Sequence, residues 1–296
     1  MKIRYYSLIV LLVMSVLAPV QAQTYDKMWK ELEVLEQKDL PQSVISEAMK
    51  IYDKAKAEQN VPQMMKAYLT AMQYRSLLTP DSLEVDMKGL EQWASQTGSV
   101  EDKAILYSIL GEMTMTDNIK KGFDYLQLSL KDKDKLLLVP VEKFKPMVKV
   151  GEASKRYFRD NLYNLLAHRA IQIMQQYRWQ AASKANQTNS LPADMTDMDR
   201  FVTYQFVPVS DCDLTAAVMQ AYQSLLKAYD TETEREGWLL TGIDALNYLY
   251  RHFSGNFSND VCQQELRKWM HTYPAVKTVP EAYLALHNSY SIKIIR

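Results

Sequence analysis

The sequence contains very little glycine, only 8 residues among 296. Strand-rich proteins generally place glycine in many of their tight turns, so this scarcity disfavours a mainly β fold. Leu, Met, Ala, Lys, Gln and Glu, which are good helix formers, are abundant instead. The composition therefore predicts an all-α fold before any periodicity is considered.

The chain also lacks an excess of charge of either sign, because 35 Lys and Arg residues balance 35 Asp and Glu residues. Proteins that bind nucleic acid neutralise phosphates with a basic surface, so nucleic acid is not expected as a partner. The stretch richest in lysine, Lys131–Lys149, interleaves its lysines with Asp132, Asp134 and Glu142. We expect this stretch to be a solvated helix end and loop, and not a phosphate-binding track.

Long apolar runs are absent except at the amino end. Lys2 and Arg4 precede an apolar run from about Tyr5 to Val20, and the small residue Ala22 closes a cleavage site of the kind that signal peptidase recognises. The sequence therefore predicts a signal peptide over residues 1–22. The alternative is an uncleaved membrane anchor, which Pro19 and the small cleavage site disfavour.

The predicted mature chain, residues 23–296, has no second apolar run long enough to span a membrane. We therefore expect an exported protein without a transmembrane segment once the signal peptide has been removed.

Helical periodicity is clearest in the stretch Asp39–Tyr68. Apolar residues recur at three- and four-residue spacing on both sides of a short link, Gln59–Pro62, and Pro41 suits the first turn of a helix. Because the link is so short, the two helices must be antiparallel neighbours. The first apolar stripe comprises Val44, Ile45, Ala48, Met49, Ile51, Tyr52 and Ala55, and the second comprises Val61, Met64, Met65, Tyr68, Leu69 and Met72.

The same pattern recurs along the rest of the chain and predicts stacked antiparallel helical hairpins. Such an architecture is an irregular α-solenoid of the tetratricopeptide (TPR) type, although no clean consensus repeat is present. We expect one helical-hairpin domain with a subdivision near 183–210, where a polar loop and an extended segment interrupt the helices. Further helices are predicted around Met28–Leu35, Leu83–Trp93, Ile105–Met113, Ile119–Leu130, Ser154–Ala182, Val218–Tyr229, Leu239–Phe253, Asp260–Tyr273 and Pro280–Ser291, with a non-helical interruption at Leu136–Gly151.

Sequence signatures of catalysis are missing. There is no His-Glu-x-x-His zinc motif, no Gly-x-Ser-x-Gly nucleophile turn and no glycine-rich phosphate loop. The four histidines, His168, His252, His271 and His287, have no ligand spacing between them. We therefore predict no catalytic, cofactor-binding or metal-binding residue. The five tryptophans lie on helical stretches, where we expect them to pack between layers: Trp29, Trp93, Trp179, Trp238 and Trp269.

Cysteine is almost absent, with two residues, Cys212 and Cys262. An exported protein can form disulfides, and a bond between these two would close a long loop. The sequence leaves open whether their α-carbons come within about 7 Å, as a disulfide requires. Asp211 and Asp213 flank Cys212 and disfavour a thiolate, so a nucleophilic role for this residue is not expected.

The stretch Tyr25–Tyr74 resembles a known family. A tryptophan-containing helix leads into Leu-Pro-x-Ser, then into Ile-Tyr, Ala-Lys-x-Glu-x-Asn and Gln-x-x-Lys-Ala. This order is similar to the start of the large alpha-2-macroglobulin-like proteins of Bacteroidetes, and Asn161–Met174 is similar to another helix of those proteins. The matching positions in the first stretch are Trp29, Leu40, Pro41, Ile51, Tyr52, Ala55, Lys56, Glu58, Asn60, Gln63, Lys66 and Ala67.

The resemblance implies a protein of the periplasm or outer envelope of a Gram-negative bacterium, from a protease-inhibitor family. The chain departs from that family because neither Cys212 nor Cys262 begins the Cys-x-Glu-Gln thioester, and because no series of strands for β-sandwich domains is present. It would correspond to the amino-terminal helical region alone. Its partners would be the remainder of such a protein or a protease, and covalent trapping is not expected.

Three functional hypotheses follow. The first is the non-catalytic exported scaffold or interaction region that the resemblance implies. The second is an independent TPR-like module that binds a protein or peptide in the cell envelope. The third is a helical enzyme, which would need a convergent polar pocket with perturbed carboxylates.

Overall fold

The structure, a computed structural model, describes residues 24–148, 161–192, 194–229, 234–253 and 259–291. It is all-helical over these ranges and contains no β-strand there, as the composition predicts. The predicted signal peptide lies outside the described residues. The helices are α1 (24–37), α2 (Pro41–Ala57), α3 (Val61–Leu78), α4 (Ser82–Gln96), α5 (Val100–Met115), α6 (Ile119–Leu130), α7 (Lys133–Leu136), α8 (Leu162–Ala182), α9 (Met198–Thr203), α10 (Leu214–Ala228), α11 (Arg235–His252), α12 (Asn259–Thr272) and α13 (Val279–Ser291), with a 3₁₀ turn at Val141–Phe144.

Helix α8 begins later than the periodicity predicts. Asn161, and not a residue near Ser154, is the N-cap, because its backbone is extended and its side chain accepts a hydrogen bond from the Asn164 amide at 2.9 Å. The amide of Leu162 donates instead to the carbonyl of Val139 at 2.8 Å. Residues 154–160 lie outside the described part of the chain.

The chain forms two compact units. The first comprises Met1–Gly89 with Phe144–Lys149, and the second comprises Leu90–Lys143 with Val150–Arg296. The subdivision point that the sequence suggested, 183–210, lies within the second unit.

The first unit has its core between α1, α2 and α3. The first stripe read from the sequence supplies four of its buried side chains, whereas α3 contributes Ala67 and Ala71, which the second stripe did not include. The indole of Trp29 donates to Gln63 Oε1 at 2.8 Å. This buried hydrogen bond satisfies the one polar atom of the tryptophan. The core cluster comprises Tyr25, Trp29, Leu32, Val44, Ala48, Ile51, Ala55, Ala67 and Ala71.

Two similar turns join these three helices. Asp39 and Gln59 have positive φ angles of 53° and 54°, which place them in the left-handed conformation that often ends a helix. In each turn the next amide reaches back five residues, from Leu40 to the Leu35 carbonyl at 3.2 Å and from Asn60 to the Ala55 carbonyl at 2.8 Å. These are Schellman turns built without glycine, and a proline follows in the first turn of each next helix.

A buried carboxylate ties α4 to α3 within the first unit. Asp86 is 6% exposed and accepts two hydrogen bonds from the Arg75 guanidinium, at 2.6 and 3.0 Å. The Tyr68 hydroxyl donates to the same carboxylate at 3.2 Å. The bidentate geometry compensates for the removal of the charge from water.

In the second unit, α5 and α6 pack together at a contact between two glycines. A Cβ atom placed on Gly122 would lie 2.8 Å from the amide nitrogen of Met115 and 2.9 Å from the carbonyl oxygen of Gly111. Backbone therefore meets backbone here, and a larger residue has no room.

Helix α8 is the centre of the second unit. It packs against α5, α6 and α7 on one side and against α10 on another, while α10 also contacts α9 and α11. The last helices, α12 and α13, pack against each other and against α11. This arrangement brings residues of α8, α10 and α11 together along one edge.

The polar loop after α8 is anchored by Asp213, the N-cap of α10. Its buried carboxylate accepts from the Ala216 amide at 3.0 Å, from both the amide and the hydroxyl of Thr188, and from the Val209 amide at 3.1 Å. One buried acid therefore holds both the loop after α8, at Thr188, and the segment that precedes α10, at Val209.

The tryptophans do not all pack as expected. Trp29, Trp238 and Trp269 are buried, and the rings of the last two meet edge to face at 5.4 Å. Trp93 is partly buried. Trp179 is 73% exposed, so the prediction of interior packing is wrong for this residue, which lies on the outer face of α8.

Candidate functional site

The best candidate site, which we call the polar cleft, is an opening of about 210 Å³ within the second unit. Helix α8 forms one wall, α11 forms the other, and α10 contributes a tyrosine to the floor. The lining residues are Ile171, Gln172, Gln175, Tyr222, Asp244, Asn247, Tyr248, Arg251 and His252.

Two tyrosines form the floor of the polar cleft. Tyr222 and Tyr248 are 4% and 3% exposed, and their ring centroids are 6.1 Å apart. The Tyr222 hydroxyl accepts a hydrogen bond from the Gln175 side chain at 3.0 Å. The packed rings give the cleft a rigid apolar base beneath a polar rim.

Asp244 and His252 sit in the wall formed by α11, and burial shifts the pKa of both. Burial raises the pKa of Asp244 to about 6, although the nearby Arg251 favours its charged form. Burial, assisted by Arg178 and Arg251, lowers the pKa of His252 to about 4. At neutral pH the histidine is therefore neutral and the aspartate ionised, so these two side chains offer one N–H donor and several acceptors.

Three side chains of the cleft form no hydrogen bond or ion pair to another described residue: Gln172, Asn247 and Arg251. All three are exposed at the rim. Each amide side chain offers both a donor and an acceptor, and the guanidinium offers several donors. The rim can therefore form hydrogen bonds with an extended polar ligand without breaking any bond inside the protein.

The polar cleft offers hydrogen-bonding groups and two titratable side chains with shifted pKa values. Its lining includes one carboxylate and one histidine but no Ser, Cys or Lys side chain. Across the described ranges, no group of three His, Cys, Asp or Glu side chains is arranged to hold a metal ion.

The other residues that the sequence singled out do not meet at this site. His168 is buried in α8, where desolvation lowers its pKa to about 4, and His271 and His287 are exposed. The cysteines, Cys212 and Cys262, are free buried thiols, so the disulfide that the sequence left open is not formed in this structure. Burial raises the pKa of both thiols, that of Cys262 to about 11.

The lysine-rich stretch is less solvated than expected. Lys133, in the short helix α7, is partly buried and donates to both the carbonyl and the hydroxyl of Ser224 at 3.1 Å. The expectation of a wholly solvated helix end is therefore wrong at this lysine.

Sequence reasoning missed the polar cleft, although a signal was present. Asp244, Asn247 and Arg251 are spaced three and four residues apart, so they share one face of α11. Gln172 and Gln175 share a face of α8 in the same way. Apolar residues at this spacing mark the buried faces of the helices, and polar residues at the same spacing mark the polar cleft.

Comparison with protein-family models, with curated proteins and with solved structures found no match to this chain. In the described part of the chain, no helix combines the length and apolarity that a membrane span requires.

Proposed function

We propose that this protein is a non-catalytic helical interaction module that binds an extended polypeptide segment in the polar cleft. The observation that carries the proposal is the rim of exposed amide and guanidinium groups, Gln172, Asn247 and Arg251, above a base of two packed tyrosines. Peptide groups present N–H and C=O in alternation, and amide side chains match both.

The charges of the cleft restrict the peptide further. Arg251 at the rim favours an acidic side chain or a terminal carboxylate, whereas Asp244 beside it favours a basic or amide group at the next position. A cleft of about 210 Å³ accommodates one or two side chains and not a folded domain. The partner would therefore contribute a short segment.

The finer architecture belongs to the same proposal. We infer that the neighbouring helix pairs α2–α3, α5–α6 and α12–α13 are hairpins of an irregular TPR-like stack. Support comes from the packing of the two helices within each pair and from the short link that joins them. Stacked hairpins expose a continuous surface on which peptides commonly bind.

The biological setting of the proposal rests on the sequence. The predicted signal peptide and the resemblance to alpha-2-macroglobulin-like proteins favour an exported scaffold in the periplasm or outer envelope, whose partner is the remainder of such an inhibitor or a protease. The alternative is an independent envelope module. The gene immediately downstream distinguishes these two hypotheses, because a split inhibitor requires that gene to encode β-sandwich repeats.

A display experiment tests the binding function. Random peptides displayed on phage would be selected on the purified protein and then measured individually by fluorescence anisotropy. We expect the Asn247→Ala and Arg251→Ala variants each to weaken binding about tenfold, because each loses hydrogen bonds to the peptide, the second of them charged. Gln176→Ala is the matched control, since this exposed residue lies on α8 but does not line the cleft.

Two outcomes would contradict the proposal. Selected peptides that bind the alanine variants as well as the parent protein would place the interaction elsewhere. Chromatographic detection of cleaved or modified peptide after incubation with the parent protein, absent with the Asp244→Asn variant, would support the helical enzyme instead.

A further inference from the structure

A second cavity, of about 250 Å³, lies between α6, α8 and α10, all in the second unit. Its walls are mainly apolar and include Phe123, Leu126 and Met174. The cavity exists because Ala170 and Ala221, which also line it, leave space that a larger side chain would fill. At about 30 Å³ for each water-sized group, the space holds on the order of eight non-hydrogen atoms.

One end of this apolar cavity is polar, and Lys133, which is not itself part of the lining, lies next to it. Ser224 lines it, and the Ser224 hydroxyl accepts a hydrogen bond from Tyr163 at 2.7 Å and another from Lys133 at 3.1 Å. Lys133 donates a second bond to the Ser224 carbonyl at 3.1 Å. The lysine ammonium also lies 5.5 Å from the centre of the Tyr163 ring.

Two hydrogen-bond donors remain available next to this end of the cavity. An ammonium has three hydrogens and Lys133 uses two of them on Ser224. Because the Ser224 oxygen accepts two hydrogen bonds, its own hydrogen is available to donate. No carboxylate of the described residues lies within 4 Å of Lys133, and burial lowers its pKa.

Other charges around Lys133 leave the balance positive. Lys227 on α10 and Asp134 on α7 both act on the lysine, with opposite effects, and Lys131 lies on the rim of the cavity. Lys133 itself offsets the carbonyl at the end of α10. A negative group placed beside Lys133 therefore gains both hydrogen bonds and charge.

We propose that this cavity binds a short amphiphile, with its apolar tail among Phe123, Leu126 and Met174 and its anionic head beside Lys133 and Ser224. The ligand class is a medium-chain carboxylate, because the volume limits the tail and the two available donors suit two carboxylate oxygens. The site is separate from the polar cleft, so either proposal can fail without the other.

Calorimetric titration of the purified protein with octanoate at low salt tests this site. We expect saturable binding of octanoate and binding of 1-octanol that is weaker by about tenfold, since the alcohol has the same tail but no charge. Lys133→Met should weaken octanoate about tenfold and leave 1-octanol unchanged. Ala217→Leu, at a partly buried position that lines the cavity, should weaken both ligands.

The control is Lys135→Met, because Lys135 lies in the same helix as Lys133 but is exposed and pairs with Asp132. This variant should bind octanoate as the parent protein does. Absence of saturable octanoate binding would overturn the proposal, as would equal affinities for octanoate and 1-octanol, or equal losses in the Lys133→Met and Lys135→Met variants. Melting curves recorded by circular dichroism would confirm that each variant is folded.

Discussion

Two buried acids, Asp86 and Asp213, each connect separate segments of this helical chain. Asp86 joins α3 to α4 through Arg75, and Asp213 caps α10 while holding the loop that follows α8. Neither residue is distinguishable by type or by helical position from the many acids on the surface. Their partners are distant in sequence or lie in loops, so periodicity could not reveal them.

The Asp86 carboxylate yields a prediction at the level of one residue. Replacement by alanine should lower the free energy of unfolding by about 2–4 kcal/mol, because it removes the carboxylate that pairs with the partly buried Arg75 and accepts from Tyr68. Chemical denaturation followed by circular dichroism measures this loss. Glu84→Ala is the control on the same helix, since Glu84 pairs with Lys88 in solvent, and it should cause no measurable change. Equal effects of the two substitutions would show that the Asp86 pair is not buried in solution.

Side chains also show where reasoning from sequence stopped short. Trp179 lies on a predicted helix and was expected to pack inside, yet it is exposed, and Lys133 lies in a charged stretch yet is partly buried. His252 appeared isolated because its neighbours in the cleft come from three helices. In each case burial depends on contacts between helices, which a local pattern does not contain.

At the level of helices, the closest contact is between the backbones of α5 and α6 at Gly111 and Gly122. Neither glycine is needed for its own helix, and alanine would favour helix formation by about 1 kcal/mol at either position. The need for glycine arises from the neighbouring helix alone.

Gly122→Ala should therefore destabilise the protein by about 1–3 kcal/mol, in spite of its higher helix propensity, because the new methyl group meets the backbone of α5. Gly98→Ala is the matched control, since a Cβ there has no atom within 4 Å and should change stability by less than about 0.5 kcal/mol. Thermal unfolding of both variants provides the measurement. A Gly122→Ala protein as stable as the parent would mean that the two helices lie further apart.

Helix positions were the part of the fold that the sequence predicted best. The bounds of α6, α12 and α13 differ from the predicted ones by a residue or not at all, because their apolar stripes are flanked by capping or turn residues. The start of α8 was placed near Ser154, whereas the N-cap at Asn161 makes Leu162 its first residue. The turn at Gln59 was located correctly, but its left-handed residue was not foreseen since it is not glycine.

For the whole molecule, the buried titratable groups act on stability in opposite directions over the same range of pH. His168 and His252 have pKa values lowered to about 4, so the stability that they contribute is complete above about pH 6.5 and is lost as the pH falls towards 4. Asp244 has a pKa raised to about 6, so stability is lost as the pH rises from about 4 to 6. The two effects partly cancel.

Removing the Asp244 carboxylate should reveal how much His168 and His252 contribute to the pH dependence of stability. Asp244→Asn should leave stability nearly unchanged at pH 4 and raise it by about 1–2 kcal/mol at pH 7, because the amide requires no burial of charge. Denaturation curves recorded between pH 4 and 8 test this difference. Asp53→Asn, at an exposed position, is the control and should follow the parent protein throughout. Parallel curves for Asp244→Asn and the parent would show that Asp244 is solvated.

The fold class followed from composition and periodicity, whereas the arrangement of helices did not. An all-α fold requires only the helical stripes and the scarcity of glycine, both visible in the chain. The division near Gly89 and the two cavities depend on which helices meet, and no stripe specifies its partner. The polar cleft and the apolar cavity were both invisible for this reason.

Chemical modification of the two buried thiols, Cys212 and Cys262, reports how often the second unit opens. A reagent that modifies only accessible thiolate passes over Cys212 and Cys262 while the helices are closed, since both are buried and hold their protons tightly. Each modified molecule has therefore opened at least once. The rate of alkylation in native buffer therefore measures how often this unit opens transiently, without any added denaturant or dye.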